Sequence, residues 1–233
     1  MKILAFETSA KAGSVALMED GILLGQYYQN TGLTHSQTVM VMAEALLKSC
    51  GLKAKDVEAV AVAAGPGSFT GVRIGVAAAK GFAWGGEIPC YGVSTLEAMA
   101  LGLGAYDGYI CPVMDARRAQ VYNALFLAEQ GKLTRLCEDR AISLADLSGE
   151  IKNLEKPVFL VGDGTILCYN SLQEEVPGLV LPPEHRMHQC AAGVALAAEK
   201  AILAGLPGNA GELTPNYLRL SQAERERLER EQK

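Results

Sequence analysis

Aromatic residues are scarce in this 233-residue chain, at 6% with a single tryptophan. Its core must therefore be built largely from Ala, Val and Leu, while 25 glycines announce tight turns and close backbone approaches. Positive charge is also short. Twenty-one Lys and Arg against 26 Asp and Glu leave a formal net charge of −5. Proteins that grip nucleic acid unaided usually carry a basic face, because phosphate neutralisation supplies most of the affinity. Here there are local basic spots such as Arg117-Arg118 but no stripe, so autonomous nucleic-acid binding is disfavoured. The six cysteines (Cys50, Cys90, Cys111, Cys137, Cys168, Cys190) are scattered without a CxxC. They read as small core residues of a reducing compartment.

Other absences narrow the chemistry. No GK[ST] follows the glycines, no GxGxxG occurs, and neither GxSxG nor HExxH is present. Serine-hydrolase and metallo-hydrolase readings thereby lose their signatures. His185 and His188 lie in a Pro-flanked loop with no acidic or Cys companion at ligand spacing, and no metal site is expected. Met1-Lys2 runs straight into a strand-like segment, with no secretory signal and no apolar run of membrane-spanning length. The expectation is a cytoplasmic protein without a membrane contact.

What is present has a clear order. Lys2–Glu7, Ser14–Glu19 and Ile22–Gln29 read as strands, the last two joined by the hairpin turn Asp20-Gly21. A helix is expected over His35–Cys50, stopped by Gly51, then a buried strand at Val57–Ala64. Gly65–Gly71 opens a second helix to about Trp84; Cys90–Val93 is a strand, and Ser94 caps a helix through Leu103. Three strands followed by alternating helices and strands suggest a mixed sheet of the ribonuclease-H kind, spanning residues 1–104. A smaller unit of the same kind is expected over 105–188. Its strands are Tyr109–Asp115, Ala119–Phe126, Leu133–Ala141 and Pro157–Val161, with a helix at Leu144–Asn153 and another beyond Gly162-Asp163-Gly164. The Ala-rich helix 189–204 should pack back on the first unit. The charged tail 221–233 reads as a solvated helix or frayed end.

Three segments are candidates for function. Gly65-Pro66-Gly67-Ser68-Phe69-Thr70-Gly71 joins a buried strand to a helix, so it can present backbone N–H groups to an anion. The competing reading is close packing. Gly71, Gly75, Ala78, Ala79 and Phe82 share one helical face, and an interior helical glycine costs about 1 kcal/mol against alanine unless close approach offsets it. The helix from His35 carries the stripe Val39, Met42, Ala43, Leu46, Cys50, with Met40 and Leu47 beside it. That wide arc fits either a partner surface or a helix sandwiched within the fold. The third candidate is a pair of turns, Glu7-Thr8-Ser9 and Gly162-Asp163-Gly164. Both are placed to meet nucleotide phosphates or their metal in an actin-like arrangement, though each alone is ordinary turn chemistry.

Ile3–Ser9, Thr34-His35-Ser36, Gly65–Lys80, Asp115-Ala116-Arg117, Gly162-Asp163-Gly164 and Pro215-Asn216-Tyr217-Leu218-Arg219 together resemble the TsaB (YeaZ) family, in order and over nearly the whole chain. Gly-Pro-Gly-Ser-Phe-Thr-Gly-Val-Arg-Ile-Gly is the most specific part. The resemblance implies an actin-like (ASKHA) fold of two tandem ribonuclease-H-like units. It also implies a role in forming N6-threonylcarbamoyladenosine (t6A) at tRNA position 37. The implied partners are a TsaD-type catalytic subunit and a TsaE-type ATPase, with tRNA met indirectly through the complex. The catalytic paralogue carries His-Met-Glu-Gly-His where this chain has Thr95-Leu96-Glu97-Ala98-Met99. Two imidazoles four apart can share a metal; threonine and methionine here cannot do so in that way.

The expectation is therefore a non-catalytic scaffold that heterodimerises with the TsaD-type subunit and homodimerises when alone. Its contact residues are expected to be His35, Val39, Met42, Leu46, Gly71, Gly75, Ala78 and Ala79. A nucleotide or anion site at Glu7, Thr8, Ser9, Gly162, Asp163 and Gly164 is a further expectation, with ATP or ADP at the partner boundary. The alternatives are an actin-like ATPase or sugar kinase acting alone, and a peptidase.

Overall fold

A computed structural model of the chain describes residues 1–219; the charged tail 221–233 lies outside them. The first sheet is built from β1 (Lys2–Glu7), β2 (Gly13–Glu19), β3 (Ile22–Gln29), β4 (Ala59–Gly65) and β5 (Cys90–Ser94), in the order β3-β2-β1-β4-β5. β1 is antiparallel to β2 and parallel to β4. β4 is buried at every position, because it has helices on both faces. Asp20 and Gly21 both have positive φ, as a two-residue hairpin turn with right-handed strand twist requires.

Helices α1 (His35–Ser49) and α2 (Phe69–Gly86) lie side by side on one face of this sheet. Their inner residues Val39, Ala43, Leu46, Val72, Val76 and Ala79 join Leu4, Phe6, Val60 and Val62 in one core. Helix α3 (Thr95–Gly102) and the Ala-rich α6 (Ala191–Leu203) cover the opposite face. Alanines on α6 let it settle close to Ile3, Ala5, Ala61 and Ala63. Ser94 Oγ accepts the Glu97 N–H at the start of α3, as the sequence predicts for that cap.

The second sheet contains β6 (Gly108–Asp115), β7 (Gln120–Asn123), β8 (Phe126–Glu129), β9 (Lys132–Arg135), β10 (Arg140–Ser143), β11 (Val158–Val161) and β12 (Leu179–Val180). Helices α4 (Leu144–Ile151) and α5 (Thr165–Leu172) pack with it around Val113, Leu147, Leu160 and Cys168. Two runs expected as single strands are each broken in two. β6 pairs with β7 at Val113↔Asn123 and with β8 at Ile110↔Phe126, one register throughout. The interruption falls opposite Pro112, which has no N–H to give to the ladder. The buried Asn123 side chain bonds Pro112 O and Ala124 O there. The partner run is broken at Leu136–Asp139, where Arg135 turns to other work.

That work joins the halves. Arg135 reaches Asp139 at 2.7 Å and Glu97 of α3 at 3.3 Å, and Glu97 also receives Lys200 of α6 at 2.7 Å. Ser94 Oγ donates to Asp139 Oδ2 at 2.5 Å. Burial opposes the charge on Glu97, but Lys200 and Arg135 outweigh it and hold its carboxyl below the usual range. Truncating the half-buried guanidinium (Arg135→Met) takes one cation from two acids at once, leaving Glu97 with Lys200 and Asp139 with Ser94. Urea denaturation should register a loss of about 2 kcal/mol; an unchanged midpoint would mean that water replaces the clasp.

Candidate functional site

A cleft of about 680 Å³ opens between the two sheets, lined by Ser9, Lys11, the first turn of α2, the end of β6, Asp163 and the segment Asn216–Arg219. The two turns singled out in the sequence meet at its floor. β1 delivers Glu7-Thr8-Ser9, and β11 delivers Gly162-Asp163-Gly164. Gly162 has φ +117°, and a Cβ there would lie 2.2 Å from Val113 O. Only glycine fits a turn so tight against β6.

Not all six residues face the opening. Thr8 is buried, and its Oγ1 donates to Gly71 O at 2.8 Å, bolting β1 to α2. Gly162 and Gly164 are backbone features, their N–H groups donating to Met187 O and Val113 O. Glu7 is 1% exposed. Burial raises its carboxyl to about 7, although the Ser9 N–H donates to Oε1 at 2.6 Å. The Ser9 side chain beside the carboxyl also works against that rise, without cancelling it. Asp163 opens onto the cleft but is walled in by surrounding chain. That enclosure raises its carboxyl, against the hydrogen bond it accepts from Gln189 Nε2 at 3.0 Å.

Sequence reasoning missed the rim. Lys11, Arg117, Tyr217 and Arg219 line the cleft; motif membership marked the last three and a basic pair marked Arg117, but neither placed them together. Arg219 donates to Ala116 O and Arg117 O. It thereby steadies a turn in which Arg117, Arg118 and Ala119 all have positive φ, a conformation that side chains disfavour. No spacing rule could pair positions 117 and 219.

The expected contact residues need correction. Val39, Leu46, Gly71, Gly75 and Ala79 are buried inside the chain, and Met42 and Ala78 only partly emerge. A Cβ on Gly71 would stand 2.1 Å from Thr8 O, and one on Gly75 2.3 Å from Thr8 Oγ1. Close approach is the reason for these glycines, but the surface approached is the chain's own β1. His35 is likewise used internally, its Nε2 lying 2.7 Å from Ala10 O. The exposed side of the two helices instead carries Met40 and Val41 on α1, and Ala77, Gly81 and Trp84 on α2; Val41 and Trp84 are each 63% exposed. Helical periodicity identifies a stripe but cannot say whether it faces the sheet or the outside.

On α3, Thr95 and Met99 are buried and Glu97 is held by its two cations. Met99 packs with Leu96, Ile110 and Val161. The positions that match ligands in the paralogue are here filled by packing.

A family model described as TsaD, tRNA N6-adenosine threonylcarbamoyltransferase, matches residues 29–227. The tRNA threonylcarbamoyladenosine biosynthesis protein TsaB of Bacillus subtilis (strain 168) is 34% identical, over 98% of this chain and 99% of its own length. The chain belongs to the TsaB family. TsaB of Escherichia coli (strain K12) is 35% identical over 70% of this chain and 72% of its own length. A solved structure from Pseudomonas aeruginosa, described as an uncharacterized protein with similarity to peptidase YeaZ, covers 94% of this chain and 99% of that one. Its TM-score is 0.78 at 26% identity. The TsaB fold is of the actin-like (ASKHA) class. At the level of fold alone it also matches component A of the Acidaminococcus fermentans (R)-2-hydroxyglutaryl-CoA dehydratase, with TM-score 0.52 at 12% identity, over 87% of this chain and 99% of that one.

Proposed function

We propose that this chain takes part in tRNA t6A37 formation in the cytoplasm as a non-catalytic subunit. It pairs with a TsaD-type catalytic subunit and activates it; a TsaE-type ATPase joins the pair, and tRNA is met through the complex. The observation that carries this reading is a contrast. A TsaD family model spans most of the chain, while the α3 positions that would hold the paralogue's metal are Thr95 and Met99, both buried in packing. A shared scaffold with that segment turned to core suits a partner better than a catalyst.

The exposed outer face of α1 and α2 is the surface we assign to pairing. Small residues Ala77 and Gly81 allow close helix approach, and Met40, Val41 and Trp84 supply apolar area. Without the catalytic subunit, the same face would support a homodimer. No helix among the described residues is long and apolar enough to cross a membrane.

A peptidase reading finds little support in the thiols. Burial pushes Cys90 up to about 11 and Cys168 up to about 12, and raises Cys111 and Cys190 as well, leaving these four protonated and unreactive.

The deciding experiment is reconstitution of t6A on tRNA from purified components with this chain added or withheld. Product should form only with it present; equal product without it would end the proposal. Within that assay, Val41→Asp and Ala77→Arg should each weaken heterodimer formation by roughly 30- to 100-fold while leaving the melting temperature unchanged. Undiminished pairing in both would move the interface elsewhere.

A further inference from the structure

We propose that the free edge of β3 is a contact site for a second copy of this chain, the two β3 strands pairing antiparallel about a two-fold axis. β3 ends the first sheet. It is bonded to β2 along one side, and among the described residues no strand lies along the other. Such an edge leaves a row of backbone N–H and C=O groups without partners, and soluble proteins normally guard it with lysine, proline or a bulge. Here Ile22–Gln29 contains neither lysine nor proline, and no residue from Gly21 to Thr34 carries a charge. A bulge at Leu24 is the single guard on the strand.

The middle of β3 is fixed from both faces. Gly25 lies against α1, where a Cβ would come 2.9 Å from Leu46 Cδ1. Gln26 Oε1 accepts from the Ala192 N–H of α6 at 3.2 Å and from Cys190 Sγ at 2.8 Å. On either side of this clamp apolar side chains stand outside. Ile22, Leu23, Leu24, Tyr27 and Tyr28 are all exposed, Ile22 at 66%. Their exposed area is roughly 500 Å² in each copy, so two copies together reach the ~1,000 Å² that a specific interface needs.

A second copy is the occupant this edge suits. Aliphatic residues fill its first half and tyrosines its second. An axis near Gly25-Gln26 sets Ile22, Leu23 and Leu24 of each copy against Tyr27 and Tyr28 of the other, an aliphatic–aromatic match of the kind that stabilises neighbouring strands. The same axis limits repulsion. The chain is acidic overall, at −5, and the nearest acids, Glu19 and Asp20, adjoin only the start of β3. Antiparallel pairing puts those of the two copies at opposite ends of the strands, about 25 Å apart, well beyond a Debye length of about 8 Å. Each is also matched within its own chain, Asp20 by the Met1 amino group and Glu19 by Lys2. None of the edge residues belongs to the outer face of α1 and α2, so the inference stands apart from the pairing role.

The test is sedimentation velocity of the full-length chain carrying Val41→Asp, which removes pairing through the helix face. A dimer should still form, with a dissociation constant on the order of 10 µM. Adding Leu23→Lys together with Tyr27→Lys should weaken it at least about tenfold. The melting temperature should hold, because both side chains already meet solvent. Leu23→Glu with Tyr27→Glu should weaken it equally, and an equimolar mixture of the lysine and glutamate variants should dimerise again as opposite charges meet. Hydrogen exchange of the unsubstituted chain gives a reading that needs no variant. Amides within residues 22–29 should exchange more slowly as protein concentration rises. A Val41→Asp chain that stays monomeric would overturn the proposal, as would a dimer indifferent to the edge charges or one not restored by mixing. Exchange in residues 22–29 that ignores concentration would do the same. With the helix face disabled, failure here and failure of the pairing role are read separately.

Discussion

Gly71→Ala should lower the free energy of unfolding by about 3 kcal/mol, while Gly81→Ala in the same helix should raise it by up to about 1 kcal/mol. The chemical change is identical; only the surroundings differ. At Gly71 the new Cβ would meet Thr8 O at 2.1 Å, and a backbone carbonyl fixed within β1 cannot step aside. Either α2 lifts from the sheet or β1 bends, and both disturb the bond from Thr8 Oγ1 to Gly71 O. At Gly81 nothing lies within 4 Å of the added carbon. The substitution then only removes backbone freedom from the unfolded chain. Urea denaturation of both variants reads the contrast directly. A neutral Gly71→Ala would show that α2 does not depend on contact with Thr8, and a destabilised Gly81→Ala that the outer side of α2 is not open.

Glu7→Gln should stabilise the protein by about 3 kcal/mol at pH 8 and hardly at all at pH 4. Burial lifts the folded carboxyl from 4.5 to about 7, a displacement corresponding to about 3 kcal/mol. The sign follows from proton counts. Between those two values the folded protein holds a proton that the unfolded chain has released. Stability contributed by this group is therefore full below about 4.5, declines as pH rises towards about 7, and is flat beyond. Asp163, also raised, adds a decline of the same sign. Glutamine keeps an acceptor for the Ser9 N–H but carries no charge, so the variant should lose most of the decline. A wild-type midpoint constant from pH 4 to pH 8 would place water or a counter-ion beside the carboxylate.

The pattern of legibility follows from the range over which each signal acts. The hairpin at Asp20-Gly21, the cap at Ser94 and the limits of α1 came through because they are set by residues within one turn of each other. β6 was also readable, but the interruption it imposes was not. Pro112 disrupts a strand eleven or more residues downstream, and only the pairing register reveals which residue it faces. The same limit governed the cleft. Glu7-Thr8-Ser9 and Gly162-Asp163-Gly164 could be named as turns. Nothing local told that Thr8 bolts a helix, that Glu7 is interred, or that Arg117 and Arg219 share a rim.

Sequence by itself settled the family, the two-sheet α/β character and the order of most elements. These rest on short-range spacing and on a motif that tolerates little variation. Tertiary structure alone decided which side of α1 and α2 faces outward, where the cationic rim gathers, and how far Glu7 is from water. Each of those depends on groups brought together from distant parts of the chain. Burial and electrostatic environment are properties of such assembled neighbourhoods, and no single stretch of residues contains them.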